Sequence, residues 1–528
     1  MSVPAAPFAG PSPLVQDEGR RSAGGRAAGG SASRLRWSVL ALFPLGWLLT
    51  WQAYADPFGY AVLTAVSAMA CALLLTRLRG PVTPLLPSWI ILGVFLVGYY
   101  LKFFWMTSAL QSGAEWPIDV LFLGPARSST LMFRVYESTT WGFVTFCVTA
   151  WILLGRRDAP VRAREASALL ASRARQRLTR MCMLLLVLLL PFMLVTGYVQ
   201  LATGLGIAGA AGVSLPYKLS GVIIHSRAVL IPALLLLLVW VTDQHRLRLL
   251  HVVSFAALLV HGLMQMLLLS SRGALIHTAL PVLFLWLNTG RFTPRRRVGL
   301  LALAIVVAWL HPIISDYRFL RATASLNVMH AFSRAAEANG DHWATVTRGA
   351  ANLVGRVSGS DAFLYAARVE VEKPTLKNVR YYLFNPNDRS LARIYTQDLA
   401  GYGRKVLNHL NVPGILGAFY LIGGNVAVVL GIFLWTVFWQ VVWAALRRSR
   451  LRSFPVAASS LLLVLLMMTS EGDVDGLPIR AVLYGLAILV CEFFVRLEVS
   501  DGAGATLVRA GPGQRPPPFG ARWAPTPG

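Results

Sequence analysis

The sequence predicts an all-α polytopic membrane protein with about twelve transmembrane helices and one long periplasmic loop. Three observations lead there. Of 528 residues, 56% are hydrophobic and only 14% are charged, a balance that no soluble domain can bury. Apolar runs such as Met181 to Leu190 and Leu234 to Val241 recur along the chain. A hydrocarbon core of about 30 Å needs about 20 such residues per helix. The runs are continuous and not alternating, so they suit helices and not the strands of a closed barrel. Finally, arginines crowd the short loops of one side and avoid those of the other, as the positive-inside rule requires.

In order, residues 1–36 are rich in Ala, Gly, Pro, Ser and Arg without periodicity and read as a disordered tail. No apolar core follows the initiator closely enough for a signal peptide. Arg34 and Arg36 flank the first span and put the N-terminus in the cytoplasm. Apolar spans follow at about 37–55, 58–76, 88–106, 138–154, 181–202, 227–242, 249–269, 273–289 and 298–314, then at 412–440, 455–470 and 477–495. The inward loops carry Arg77 and Arg79, eight arginines from Arg156 to Arg180, Arg246 and Arg248, Arg291 with Arg295 to Arg297, and the run Arg447 to Arg452. An even number of spans returns the C-terminus to the cytoplasm, where 497–528 is a second disordered tail. Domain boundaries are therefore 1–36, 37–314 (spans one to nine), 315–411 (a long periplasmic loop), 412–496 (spans ten to twelve) and 497–528.

The net charge of +26 follows from these loop arginines and calls for no nucleic acid. Cys71, Cys147, Cys182 and Cys491 fall in or beside spans, away from any disulfide or metal pattern. Neither a P-loop, a dinucleotide fingerprint nor a zinc-protease motif is present, and no cofactor or metal is expected. An internal repeat of the kind found in many transporters is not evident.

Several residues could carry chemistry. Arg272 sits in the turn Ser271-Arg272-Gly273 between two spans, where a charge is expensive and is by default a functional candidate. It either binds an anionic group such as phosphate or snorkels to the interface. Arg227, in His225-Ser226-Arg227 at the outer start of the sixth span, either joins it or anchors that span. Asp316, Arg318 and Arg321 follow the ninth span. If its helix continues, the two arginines are neighbours on one face and suit an anion between them, while Asp316 either neutralises one or serves the chemistry. Arg348, Asn352 and Arg356 share a helical face that is either a ligand stripe or solvated surface. Trp343, Tyr365, Tyr381, Tyr382, Tyr395 and Tyr402 suit stacking on sugar rings or a small loop core. Arg404 and His409 close the loop, the histidine as a base, a phosphate partner or a structural residue. Glu471, Asp473 and Asp475 crowd the last outer turn, as a general base, a cation site or a polar turn.

Together these features resemble the superfamily of O-antigen polymerases (Wzy-type) and O-antigen ligases. The resemblance covers roughly residues 180–445. It rests on the Ser-Arg-Gly turn at the outer end of a span, the long outer loop after a later span, and the stretch Asn408-His409-Leu410-Asn411-Val412-Pro413-Gly414-Ile415-Leu416-Gly417 entering the next. It implies an all-helical membrane fold of the GT-C type B kind and a metal-independent glycosyltransferase of the bacterial inner membrane that uses undecaprenyl-diphosphate-linked glycans. Arg227 and Arg272 would hold the diphosphate, and His409 would match the loop-end histidine of the ligases. Beside the resemblance, whose pattern does not include the acidic turn, the residues themselves put Arg318, Arg321, Arg348, Arg356, Arg404, Glu471 and Asp473 forward as substrate contacts. Chain-length-regulating and flippase proteins of the same membrane are the expected partners. A polymerase of repeat units, for exopolysaccharide, capsule or O-antigen, is favoured. The alternatives are a ligase or a flippase for the same lipids. A metal-using glycosyltransferase would need acids in a large first outer loop, which here is only Ala55-Asp56-Pro57.

Arg272→Ala is expected to abolish long-chain polysaccharide while leaving protein in the membrane. Purified protein is expected to polymerise lipid-linked units with EDTA present. Normal chain lengths in the variant, or strict metal dependence, would contradict these readings.

Overall fold

The computed structural model describes residues 37–54, 56–78, 86–112, 129–154, 172–203, 219–268, 274–324, 328–356, 359–368, 414–449, 451–471 and 477–507. Among them every regular element is helical. The helices are α1 (Val39–Thr50), α2 (Pro57–Arg77), α3 (Leu86–Val94, continuing through Phe95–Leu101 to Lys102–Ser112), α4 (Ser129–Leu154) and α5 (Ser172–Thr203). Next come α6 (Leu219–His225, continuing through Ser226–Leu230 to Ile231–Gln244), α7 (Arg248–Leu268), α8 (Ala274–Asn288) and α9 (Pro294–Ala324). Three short helices follow, α10 (Val328–Ala338), α11 (His342–Arg356) and α12 (Ser360–Arg368). The chain ends with α13 (Gly414–Arg448), α14 (Phe454–Glu471) and α15 (Leu477–Leu507).

Seven of the described helices are long and apolar enough to cross a membrane, namely α2, α3, α5, α6, α7, α9 and α13. Their outward surfaces agree. Leu184, Val187, Leu188 and Val195 on α5, Leu249 and Val252 on α7, and Val298 and Leu301 on α9 are largely exposed. Such apolar stripes on a soluble protein would aggregate; on this one they meet lipid.

Two bundles share the interior. In the first, α1 to α4 pack with α12, α13 and α14. Hydrocarbon removes the hydrophobic drive between helices, so packing and polar contacts must hold them. Phe43, Phe95, Tyr100, Tyr136, Phe143 and Phe146 supply the packing, with Phe95 stacked on Phe146 at 5.6 Å and Phe103 4.7 Å from Tyr136. Hydroxyls supply the polar contacts: Thr64 with Tyr136 at 2.8 Å and Ser67 with Tyr100 at 2.6 Å. Each such bond contributes about 0.6 kcal/mol, so the aromatic packing dominates and the hydroxyls fix register. In the second bundle α5, α6, α7, α8 and α15 pack together, joined to the first through α14. One end is tied by arginines. Asp243 pairs with Arg291 at 3.0 Å and Arg296 at 2.7 Å, and buried Glu492 accepts from Ser453 N at 2.9 Å and Arg496 Nε at 2.9 Å.

The polar run from 315 onward departs from its expected form. α9 extends unbroken through Ala324, so Asp316, Arg318 and Arg321 stand on a helix and not in a loop. α10 and α11 pack back on α9, where Gly349 lies so close to the Ala308 carbonyl that a Cβ would collide with it. Trp343 is 75% exposed and belongs to no loop core. Most distinctly, α12 is not water-exposed. Phe363, Leu364, Ala366 and Ala367 are buried in the first bundle. A Cβ on Gly359 would collide with the Gly98 carbonyl, and Ser360 Oγ donates to the Tyr99 carbonyl. Gly98 and Tyr99 adjoin Tyr100, which bonds Ser67 at the centre of α2. α12 therefore begins near mid-depth of the bundle.

The tenth span, expected as one helix over 412–440, is a helical hairpin. Leu416 Cδ2 and Val428 Cγ1 lie 2.7 and 3.2 Å from the position a Cβ on Gly142 would take. The ring of Phe419 lies directly on Gly431. Twelve residues of straight helix would separate such a pair by about 18 Å. The reversal is at Gly423-Gly424, where Gly424 has φ 65° and ψ −151°, a conformation open essentially to glycine alone. The first limb starts beside α12, with Leu416 N donating to Tyr99 Oη at 3.2 Å and Phe363 against Tyr420 at 5.3 Å. Both limbs are apolar, so a hydropathy reading sees one long span.

F419C combined with G431C is expected to form a disulfide on mild oxidation, read as a mobility shift reversed by reductant. A continuous helix would keep the two thiols apart and give no shift.

Candidate functional site

The site is built on a defect in α6. Over Ser226–Leu230 the helix widens to π-turns, and Ile231 N donates back to Ser226 O. The next residue, Pro232, has no N–H. The Arg227 carbonyl thus loses both its i+4 and its i+5 donor. His261 of α7 repairs the loss, with Nε2 2.9 Å from Arg227 O. Such π-bulges occur often at functional sites.

The bulge carries Arg227 into the bundle. The helix begins at Leu219 and not at 227, so Arg227 is about two turns inside it and only 1% exposed. The expected position at the outer start of the span is corrected accordingly. Nη1 donates to Met193 O at 2.7 Å and Thr196 Oγ1 at 3.1 Å on α5. Gly197 completes this cradle: a Cβ there would sit 2.8 Å from Nη1 and 2.9 Å from Met264 Cε. An arginine at a helix centre in hydrocarbon costs about 2.5–3.5 kcal/mol on insertion scales. The Nη1 bonds offset part of this cost. Nε and Nη2, however, are buried with no partner among the described residues.

Arg227 lines a cavity of about 400 Å³ formed by α6, α7, α8, α14 and α15. Its wall is mostly apolar, including Leu236, Leu258, Leu463, Val464, Met467 and Leu483. The polar exceptions are His225, Arg227, His261, Gln265, His277, Thr278, Ser460 and Tyr484. Gln265 is one turn beyond His261 on α7, and its Nε2 is also buried without a partner among the described residues. The arrangement is a low-dielectric chamber with one fixed cation and several donors, suited to an anionic headgroup attached to an apolar body.

The structure brings few of the other sequence candidates to this cavity. Asp316 accepts from Asn339 Nδ2 at 2.8 Å, and the Asn339 side-chain oxygen accepts from Arg348. That relay ties α9 to α10 and α11, and Arg348 is otherwise exposed. It serves the packing of the outer helices and does not line the cavity. Arg318 and Arg321 lie on α9, Arg356 ends α11 and Glu471 ends α14; their side chains lie outside the described residues. So do Arg272, Arg404, His409 and Asp473. Arg272 falls in sequence between α7 and α8, and Glu471 and Asp473 between α14 and α15, all four of which line the cavity. Sequence reasoning missed His261, Gln265 and His277, isolated polar residues within apolar runs. The available signal was Pro232, which strips a donor from the helix carrying Arg227.

Comparison with protein-family models, with curated proteins and with solved structures gives no match to this chain.

Arg227 bonds only neutral oxygens among the described residues, and a buried ion without a counter-ion carries a desolvation cost of several kcal/mol that an apolar side chain of similar length does not. Arg227→Met is therefore expected to leave the thermal unfolding midpoint in detergent unchanged or raised. A fall of many degrees would assign Arg227 to structure alone.

Proposed function

We propose that this chain is a membrane glycosyltransferase that joins lipid-linked oligosaccharide repeat units into a surface polysaccharide. The reading takes the donor to be an undecaprenyl-diphosphate-linked glycan and the membrane to be the bacterial inner membrane. It uses twelve spans, with both termini cytoplasmic and the run after α9 on the outward side apart from α12, which is buried in the first bundle.

The observation that carries it is Arg227, a buried residue lining a mainly apolar cavity, with two N–H-bearing nitrogens that have no partner among the described residues. An ordinary structural arginine would use its whole fork. A guanidinium with one nitrogen anchored and two open is suited to grip a phosphate oxygen pair. Water is scarce in such a chamber, so the cation acts at higher strength than it would in solution. Diphosphate departs readily once its growing charge is neutralised, and a fixed cation can do this without reorganising. The apolar walls suit the first isoprene units. Arg272, between α7 and α8 in sequence, is the second cation the reading calls on, and the acidic turn after α14 offers polar contacts to the glycan.

Deleting the gene and analysing surface glycan tests the reading. Accumulated single repeat units are expected, with long chains restored by the wild-type gene and not by Arg227→Met. Units trapped on the cytoplasmic side would assign the chain to lipid translocation, and unchanged chain lengths would exclude polymerisation.

A further inference from the structure

Arg291 and Arg295 to Arg297 mark where α9 enters the bilayer, and Asp243 ties Arg291 and Arg296 there. The helix first meets lipid, with Val298, Leu301, Ile305 and Val306 exposed. Beyond them the exposure stops: Val307, Ala308, Leu310, Ile313, Ile314 and Tyr317 are buried. Residues 298–306 span about 13 Å, less than half of a hydrocarbon core of about 30 Å. Lipid therefore touches α9 over one leaflet only. In the other leaflet α10 and α11 take its place. A backbone contact fixes their depth. Gly349 of α11 lies against the Ala308 carbonyl, and Pro312 Cδ is 3.1 Å from the position a Cβ on Gly349 would take. Ala308 follows Val298 by about 15 Å of helix, which is the middle of the bilayer. A tilt of α9 would leave α11 deeper still below the far surface. On its other side α11 reaches α3 at Phe95–Leu101.

The outer faces of these two helices do not suit lipid. Ser333, Arg334 and Glu337 are exposed on α10, and His342, Thr347 and Arg348 on α11, which exposed Asp341 caps by accepting from Trp343 N and Ala344 N at 3.1 Å. The large apolar side chains exposed on them are Met329 and Trp343, each in the first turn of its helix. A helix resting in a bilayer surface turns its apolar face to the lipid. Here the small and apolar faces, with Ala331, Ala335 and Gly349, turn to α9, and the polar faces turn to where lipid should be. Charges at that depth face a bundle interior or water, and these do not face the interior. We propose that α10 and α11 hold a water-filled notch in the leaflet opposite the Arg295–Arg297 end, flanked by α9 and α3, that admits hydrophilic groups to the middle of the bilayer. On the topology proposed above this is the outer leaflet. A polar group carried on a membrane lipid, such as the glycan of the proposed donor, reaches the depth of the bundles through it without crossing hydrocarbon. Only the outward opening of the notch rests on that topology; its depth does not depend on the reaction proposed at Arg227.

The test uses the full-length protein in spheroplasts and in inverted membrane vesicles. Its four cysteines are all buried, so wild type sets the background for single added thiols. Thr347→Cys and Ala350→Cys place a thiol on the exposed face of α11, the second beside the Gly349 contact at mid-depth. Ser333→Cys marks the exposed face of α10, and Leu301→Cys the lipid face of α9. The thiolate is the reacting form and apolar surroundings suppress it, so a sulfonated maleimide that does not cross membranes separates water from lipid. In spheroplasts Thr347→Cys and Ala350→Cys are expected to label within about tenfold of the rate of Ser333→Cys, and Leu301→Cys about 100-fold more slowly. Thr347→Cys and Ala350→Cys as slow as Leu301→Cys overturn the notch, and so does labelling confined to inverted vesicles. Bimane attached at Ala350→Cys gives a readout that does not depend on thiol ionisation. Aqueous iodide is expected to quench it. Quenching by phospholipids brominated in mid-chain, with none by iodide, overturns the notch. None of these readouts uses turnover, so a failed notch leaves the polymerase reading to its own test on surface glycan.

Discussion

Within hydrocarbon every backbone donor and acceptor must find a partner inside the protein, because no water is present to supply one. The architecture of this chain depends on where that rule is broken and how it is repaired. Among the described residues two helices break it with a run of π-turns, α3 over Phe95–Leu101 and α6 over Ser226–Leu230. Each break is met by an element from elsewhere in the chain. At α3 the Tyr99 carbonyl accepts from Ser360, and the Tyr99 hydroxyl accepts from Leu416 N at the start of α13. At α6 the Arg227 carbonyl is met by His261. A regular helix has no backbone group to offer a neighbour; an irregular one does. The first break seats the ends of two buried short helices, and the second builds the cavity.

The two repairs differ in kind. Around Tyr99 the partners are small or backbone groups, and the fit is close enough that Gly359 admits no side chain. That junction is fully packed, with Phe363, Ile415 and Leu416 at 0% exposure. Around Arg227 the repair uses a large titratable ring on one side and leaves a chamber on the other. Close packing at one junction and open polar atoms at the other divide the molecule into a part that holds the fold and a part that can receive a ligand.

Much of the helical layout was legible because apolar length is a direct requirement of the bilayer. Each apolar stretch lies on a helix, even at 249–289, where α7 and α8 pack side by side. What hydropathy could not see was direction. The limbs of α13 are equally apolar, so a reversal at Gly423-Gly424 leaves no polar mark, and only the glycine pair hints at it. The burial of α12 was hidden for the opposite reason. It lies in a polar stretch, yet Phe363, Leu364, Ala366 and Ala367 give it an inward face that fits between α4 and α13. Of the site, Arg227 was legible as a misplaced charge. His261 and Gln265 were not, since one polar residue per turn in an apolar helix is ordinary until a cavity is seen beside it.

The joint between α6 and α7 also explains why a cation and a histidine can be neighbours in so dry a place. Two positive groups there would repel strongly, since little solvent screens them. The structure avoids this by holding the histidine to the arginine's own carbonyl and not to its guanidinium. That bond places the hydrogen of the neutral ring on Nε2. The guanidinium is drawn the other way, toward Met193 and Thr196 on α5. One residue therefore presents its backbone to α7 and its charge to α5, and the cavity lies on the side of α6 that faces α7, α8, α14 and α15. Pro232 is what allows the division. With an N–H at that position the helix could reclaim the Arg227 carbonyl, and His261 would have no reason to turn toward it. The chemistry available to this site is decided first by a missing backbone hydrogen and only then by the side chains around it.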